Sequence, residues 1–350
     1  MQNEGMTNKG RIEYIDAMRG FTMILVVYSH ICHFCLGDSL LGFNATLHLF
    51  RLPCFFLISG WLFEPVSRRP FRQIARKKFM IQIVPTFIFL LLLAPPPEFF
   101  HQLGALKGGY WFTFALFEFF VLCIFSERCL KKWGGAFAIA ISAAAFCYDI
   151  YYNRLQLELQ NVQWSMFNGQ WITDALGFLS FMTWRYYLFF FVGTWVKRHF
   201  DTFVSWTNKA WVIAAVIAGF TLIAMMPHSD HAIREYLLFA VGGVLGLTMV
   251  FTFFRVFARF FSKDRWLGCS LIYIGTRTLD IYLLHYFVLP RFLILYSDQL
   301  KAFDSRLLEF VIALLLALVV IAVCLLASYV IRLSPFMGYY LFGVRYERQK

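Results

Sequence analysis

Ten apolar stretches run through the 350-residue chain, separated by polar connections. Each is near the ~20 residues that a helix needs to cross a hydrocarbon core. They fall at 13–34, 47–63, 79–96, 110–127, 134–152, 177–196, 210–227, 236–255, 276–295 and 307–331. Backbone polar groups in lipid must be satisfied within their own segment, so such stretches fold as helices. Composition agrees. Charged residues make up 15% of the chain and apolar residues 60%, whereas a soluble domain carries roughly a quarter charged residues. The expected fold is an all-α integral membrane protein, a bundle of about ten transmembrane helices. The second segment is short and holds Arg51 and Pro53, so a tilted, kinked or partly inserted helix is expected there.

Lysine and arginine alternate between connections. One side collects Lys9, Arg11, the run from Arg68 to Lys78, Arg128, Lys131, Lys132, Lys197, Arg198, Lys209, Arg255, Arg259, Lys263, Arg265, Arg277 and the C-terminal basic residues. The other keeps Lys107, Arg154, Arg234, Arg291, Lys301 and Arg306. The excess marks the cytoplasmic side, which places both termini there, with residues 1–12 and 333–350 as cytoplasmic tails. A multi-pass protein of the cytoplasmic (inner) membrane is expected. The net charge of +12 follows from this topology and from anionic lipid, without a nucleic-acid partner. Asp16 and Arg19 interrupt the first apolar run and no A-x-A site follows, so the first segment is expected to stay in the mature protein.

The connections carry further signals. Residues 64–78, EPVSRRPFRQIARKK, suit lipid head groups or a phosphorylated cofactor, or express the positive-inside rule alone. Between 151 and 171, amides and an arginine alternate with tyrosine and tryptophan, a pattern that suits sugars or an ordinary membrane interface. Residues 257–275 read as a cytoplasmic connection with a surface helix. The eight cysteines are scattered. Cys32 and Cys35 form a C-x-x-C that permits a redox or metal role, but no second ligand pair accompanies it and packing is the simpler reading. No metal site is expected.

Ionisable residues at membrane depth are costly and tend to be functional or paired. Arg19 and His30 lie in the first segment, eleven residues apart. In a helix that spacing leaves them on one face, ~16 Å apart along the axis. His30 suits a general base for an acceptor hydroxyl; its alternative is a ring satisfied by a neighbouring helix. Arg19 suits phosphate or carboxylate, or a pair with Asp16, or snorkelling to head groups. Arg51 suits a developing oxyanion, an acidic acceptor or an interfacial anchor. Glu118 needs a partner, either His30, Arg51 or a structural contact. His285 is a second base, a hydrogen-bond donor or a core histidine. Trp111 sits at interfacial depth. Arg185 is a further intramembrane charge.

Four motifs in order resemble the membrane-bound acyltransferase-3 family: Arg19 with His30 as R-x10-H; Phe50 to Trp61, containing Ser59-Gly60; Trp111-Phe112 with Leu116 and Glu118; and Ile274-Gly275 through His285. Thr278 and Thr113 depart mildly from the family's usual serine and leucine. The resemblance implies a single membrane acyltransferase domain over 1–350. It also implies transfer of an acyl group, usually acetyl, from acyl-CoA to a hydroxyl of a carbohydrate or glycolipid. By the resemblance His30 would be catalytic, while Arg19 and Arg51 would serve acyl-CoA or the transition state. Beside that, Glu118 is expected as a second catalytic residue, and His285 and Trp111 as contacts to the acceptor. Acyl-CoA enters as a co-substrate, and no permanently bound cofactor is expected. Membrane lipid is a further partner, and a homodimer is compatible. The rival reading is a transporter or flippase for a glycan or lipid-linked substrate, which would use the same ions without making a bond. No paired broken helices or inverted repeat stands out in the sequence to favour it. A scaffold would not need an arginine and a histidine on one helix face.

Overall fold

The structure is a computed structural model that describes residues 6–7, 11–37, 46–63, 70–94, 107–159, 177–226, 231–301 and 305–343. The helices are α1 (Glu13–Cys35), α2 (Arg51–Trp61), α3 (Phe71–Lys78), α4 (Val84–Leu93), α5 (Trp111–Phe125), α6 (Gly134–Leu159), α7 (Tyr187–Arg198), α8 (Phe200–Thr207), α9 (Ala210–Met225), α10 (Ala232–Val256), α11 (Trp266–Thr276), α12 (Thr278–Val288), α13 (Ser297–Lys301), α14 (Arg306–Arg332) and α15 (Pro335–Phe342). A two-residue pairing of Met6–Thr7 with Arg11–Ile12 precedes them. Within the described residues each of the ten expected segments contains helix.

Three helices, Glu13–Cys35, Ala232–Val256 and Leu307–Arg332, are long and apolar enough to cross a membrane among the described residues. Two bent pairs raise that to five: Phe200–Thr207 with Ala210–Met225 at 85°, and Thr278–Val288 with Arg291–Gln299 at 57°. The second bend falls at Leu289-Pro290, where proline cannot continue the helical ladder. Helix α3 runs through a π-helical turn, Phe79–Ile83, into α4. The proline triplet at 95–97 and the polar–aromatic stretches at 161–171 lie outside the described residues.

The chain forms two compact units. The first comprises Met1–Ile58, Phe200–Met225 and Gly242–Ser334; the second comprises Ser59–His199, Met226–Val241 and Pro335–Lys350.

In the first unit α1 packs on α11, α12 and α14. The contact of α1 with α11 is backbone to backbone. A methyl group on Gly20 would strike the carbonyl of Leu271, and one on Gly275 would strike that of Asp16. Small residues let apolar helices approach this closely. Helix α11 packs one face on α1, with Leu271, Ile272 and Ile274 buried, and leaves Trp266, Leu267 and Tyr273 exposed on the other. The charges of Lys263, Asp264 and Arg265 just before it mask this role in the sequence. At the same junction Glu13 accepts from the Lys263 backbone N–H at 3.1 Å, which ties the start of α1 to that connection.

In the second unit, Phe63, Phe119, Phe120, Tyr187 and Phe190 form an aromatic core with ring centroids 5.3–6.4 Å apart. Gly60 lies against the Phe190 carbonyl with no room for a side chain. Helices α4 and α5 are joined by a buried hydrogen bond from Thr86 to Thr113 at 2.9 Å. Phe342 of α15 stacks on Phe89.

Candidate active site

Helix α1 is uninterrupted from Glu13 to Cys35, so Arg19 and His30 share a face and lie ~16 Å apart along it. Both are half-buried. His285, on α12, is fully buried. Its Nε2 lies 2.7 Å from His30 Nδ1, and the two rings stack at 4.9 Å. His285 Nδ1 lies 3.1 Å from the Ile281 carbonyl oxygen.

These contacts fix the tautomers. A carbonyl only accepts, so His285 Nδ1 carries a proton and donates to Ile281. In the neutral ring His285 Nε2 is then an acceptor. His30 Nδ1 must donate to it, which leaves the lone pair of neutral His30 on Nε2. That nitrogen has no hydrogen-bond partner among the described residues. A donor–acceptor relay thus runs from a helix carbonyl through two imidazoles to an unused basic nitrogen, and such an arrangement sets both orientation and protonation pattern.

Tyr286 packs against both rings, at 4.1 Å from His285 and 5.2 Å from His30. Phe34 meets His30 edge-on at 5.8 Å. Arg51 lies within electrostatic reach of His30, and Arg291 within reach of His285. Arg291 also sits 5.7 Å from the Phe34 ring centroid. In the sequence Arg291 is one of the loop charges. The signal that marks it is Pro290, which ends α12 five residues beyond His285.

Below the histidine pair, α12 is anchored by Asp280, which is 1% exposed. Arg332 of α14 grips it in bidentate fashion, with Nε to Oδ2 and Nη2 to Oδ1 both at 2.8 Å. Ser328 donates to the same carboxylate, and Arg277 approaches to 3.7 Å. This cluster was missed in the sequence, because Arg332 lies at the end of the final apolar run.

Glu118 and Trp111 belong to the second unit. The hydrogen bond on Glu118 comes from Trp184 Nε1 at 2.7 Å, and the partner that orients His30 is His285. Trp111 stacks on Tyr186 at 5.9 Å. Arg185 pairs with Asp149, which gives this charge a structural partner. Lys107 is buried as well, with Nζ donating to the Phe178 carbonyl at 2.5 Å. The left-handed run Lys107-Gly108-Gly109, with φ of 48°, 58° and 97°, accompanies this inward placement. Burial pushes its ammonium down to about 8, opposed by the Glu118 carboxylate.

Cys32 and Cys35 are buried free thiols. Among the described residues no group of three or more histidine, cysteine or acidic side chains is placed to hold a metal ion.

The apolar helices are long enough to cross a membrane, and the first unit carries a buried histidine pair with one basic nitrogen left open. The family model described as an acyltransferase domain matches residues 12–331, and the chain belongs to this acyltransferase-3 family. It is thus a multi-pass membrane acyltransferase, acting on groups other than aminoacyl groups. No curated protein and no solved structure matches the chain.

Proposed function

We propose that this protein transfers an acyl group, acetyl in the simplest case, from acyl-CoA to a hydroxyl of a carbohydrate or glycolipid, with His30 as the base. The observation that carries this reading is the relay from Ile281 through His285 to His30, which leaves His30 Nε2 as a lone-pair acceptor. In the reaction Nε2 takes the proton of the acceptor hydroxyl as its oxygen attacks the thioester carbonyl. The C–O bond forms, the C–S bond breaks, and the proton on Nε2 passes to the departing thiolate to give free CoA. As Nε2 gains the proton, His285 accepts from Nδ1–H throughout and stabilises the imidazolium. Arg51 supplies positive charge for the tetrahedral oxyanion. Arg19, on the same face of α1, serves the acyl-CoA phosphates. Trp111, with its stacked neighbour Tyr186, offers aromatic surface to the sugar, and Glu118 supports that region through Trp184.

The ten apolar segments and the lysine–arginine bias support ten membrane crossings, cytoplasmic termini and residence in the inner membrane. Purified protein with labelled acetyl-CoA and candidate sugars tests the reading. CoA release with label on the sugar supports it. Movement of a glycan across vesicles without CoA release would instead establish the transporter alternative. Mass spectrometry of surface glycans with and without the protein then identifies the acceptor by the added acyl mass.

A further inference from the structure

An unassigned groove of about 530 Å³ lies in the second unit, within the ~300–1,000 Å³ common for small-molecule sites. Helix α3 and the π-helical turn after it form one wall, and Phe117 of α5 forms the other. Its cationic members are Arg72 and Arg76, one helical turn apart, with side chains ~6 Å from each other at their roots. Both are exposed, and neither has an ion-pair partner among the described residues. Phe71, Phe79 and Phe117 supply the apolar surface, with the rings of Phe79 and Phe117 in edge contact at 6.0 Å. The adjacent Lys78 is committed elsewhere, over the Phe120 ring at 3.8 Å. The helix turns from FRQIARKK to the apolar VPTFIFLLLL within five residues, so the groove lies where a polar surface gives way to an apolar one. A π-bulge at such a point is a frequent companion of a functional site.

We propose that this groove holds an anionic phospholipid, with its phosphate between Arg72 and Arg76 and an acyl chain along Phe79 and Phe117. The argument is complementarity. The site has a cationic rim and an apolar floor, and the ligand that matches both halves is an amphiphile with an anionic head. Inorganic phosphate would satisfy only the arginines, whereas a nucleotide, whose base stacks on phenylalanine, is the competitor that the test separates. The inference does not depend on the acyl-transfer reading.

The test is native mass spectrometry of the full chain released from micelles doped with phosphatidylglycerol or with phosphatidylcholine. The wild type is expected to retain one phosphatidylglycerol in preference to phosphatidylcholine. The Arg72→Ala/Arg76→Ala variant is expected to reduce that adduct about tenfold, since charge-assisted bidentate contacts are lost. The Lys131→Ala/Lys132→Ala variant, which removes exposed charges outside the groove, is expected to keep it. Should the double alanine variant fail to fold, the separate Arg72→Gln and Arg76→Gln variants are each expected to weaken the adduct. Equal retention of the two lipids, or undiminished phosphatidylglycerol in folded arginine variants, overturns the proposal. Adenosine 3′,5′-bisphosphate forms the second arm. If it binds through the same arginines while phosphatidylglycerol is retained no better than phosphatidylcholine, the groove is a nucleotide site and the lipid assignment fails.

Discussion

Two polar clusters sit on α12 within five residues of each other, and they are built on opposite principles. Around Asp280 every charge is answered: Arg332 binds both carboxylate oxygens, Ser328 donates to one, and Arg277 adds its field. Around His285 the hydrogen bonds run in one direction, from Ile281 through two rings, and end on a nitrogen with no described partner. A closed cluster inside an apolar bundle holds helices in register, because removing one member leaves a buried charge uncompensated. An open relay leaves reactivity at its end. The first fixes α12 against α14, and the second leaves His30 Nε2 open for the base role proposed above.

The contrast can be broken by substitution. Asp280→Ala should give the largest loss of stability, about 3 kcal/mol, through the stranded Arg332 guanidinium. It would appear as a marked fall in melting temperature, while turnover per folded molecule stays largely intact. A collapse of turnover without destabilisation would show that the two clusters are not functionally distinct. His285→Phe should do the reverse: little change in melting temperature and a rate lower by roughly tenfold to a hundredfold. His285→Gln keeps an oxygen acceptor for His30 Nδ1–H and should recover much of that rate. Equal rates for the two variants would remove the positioning role.

Lys107 sharpens the comparison from the second unit, with the smallest effect. Its folded pKa, about 8, lies below the ordinary 10.5, so the unfolded chain holds this proton more tightly. The stability penalty is fully present below pH 8 and fades as pH rises towards 10.5. Melting temperature measured from pH 7.5 to 10 should therefore rise in the wild type relative to Lys107→Met. Parallel curves would contradict the buried, depressed ammonium.

Hydropathy made the helical segments legible, because each apolar run needs its own hydrogen-bonded backbone. The shared face of Arg19 and His30 was legible too, since helix geometry follows from spacing. Contacts across the chain were not. His30 and His285 are 255 residues apart, and both appeared as candidates without any sign that they meet. Glu118 was expected to meet His30, Arg51 or a structural partner; its hydrogen bond from Trp184 is of the third kind, from a neutral donor that charge-matching overlooks. A helix is legible within 257–275, but its close packing on α1 shows only in the contacts of Gly20 and Gly275.

In the proposed reaction the lone pair of His30 Nε2 takes the proton of the acceptor hydroxyl. CoA release from acetyl-CoA by purified His30→Ala, in the presence of the sugar acceptor and beside the wild type, tests it most directly. The account predicts a loss of at least about a hundredfold at an unchanged melting temperature. Wild-type turnover by the folded variant would contradict it.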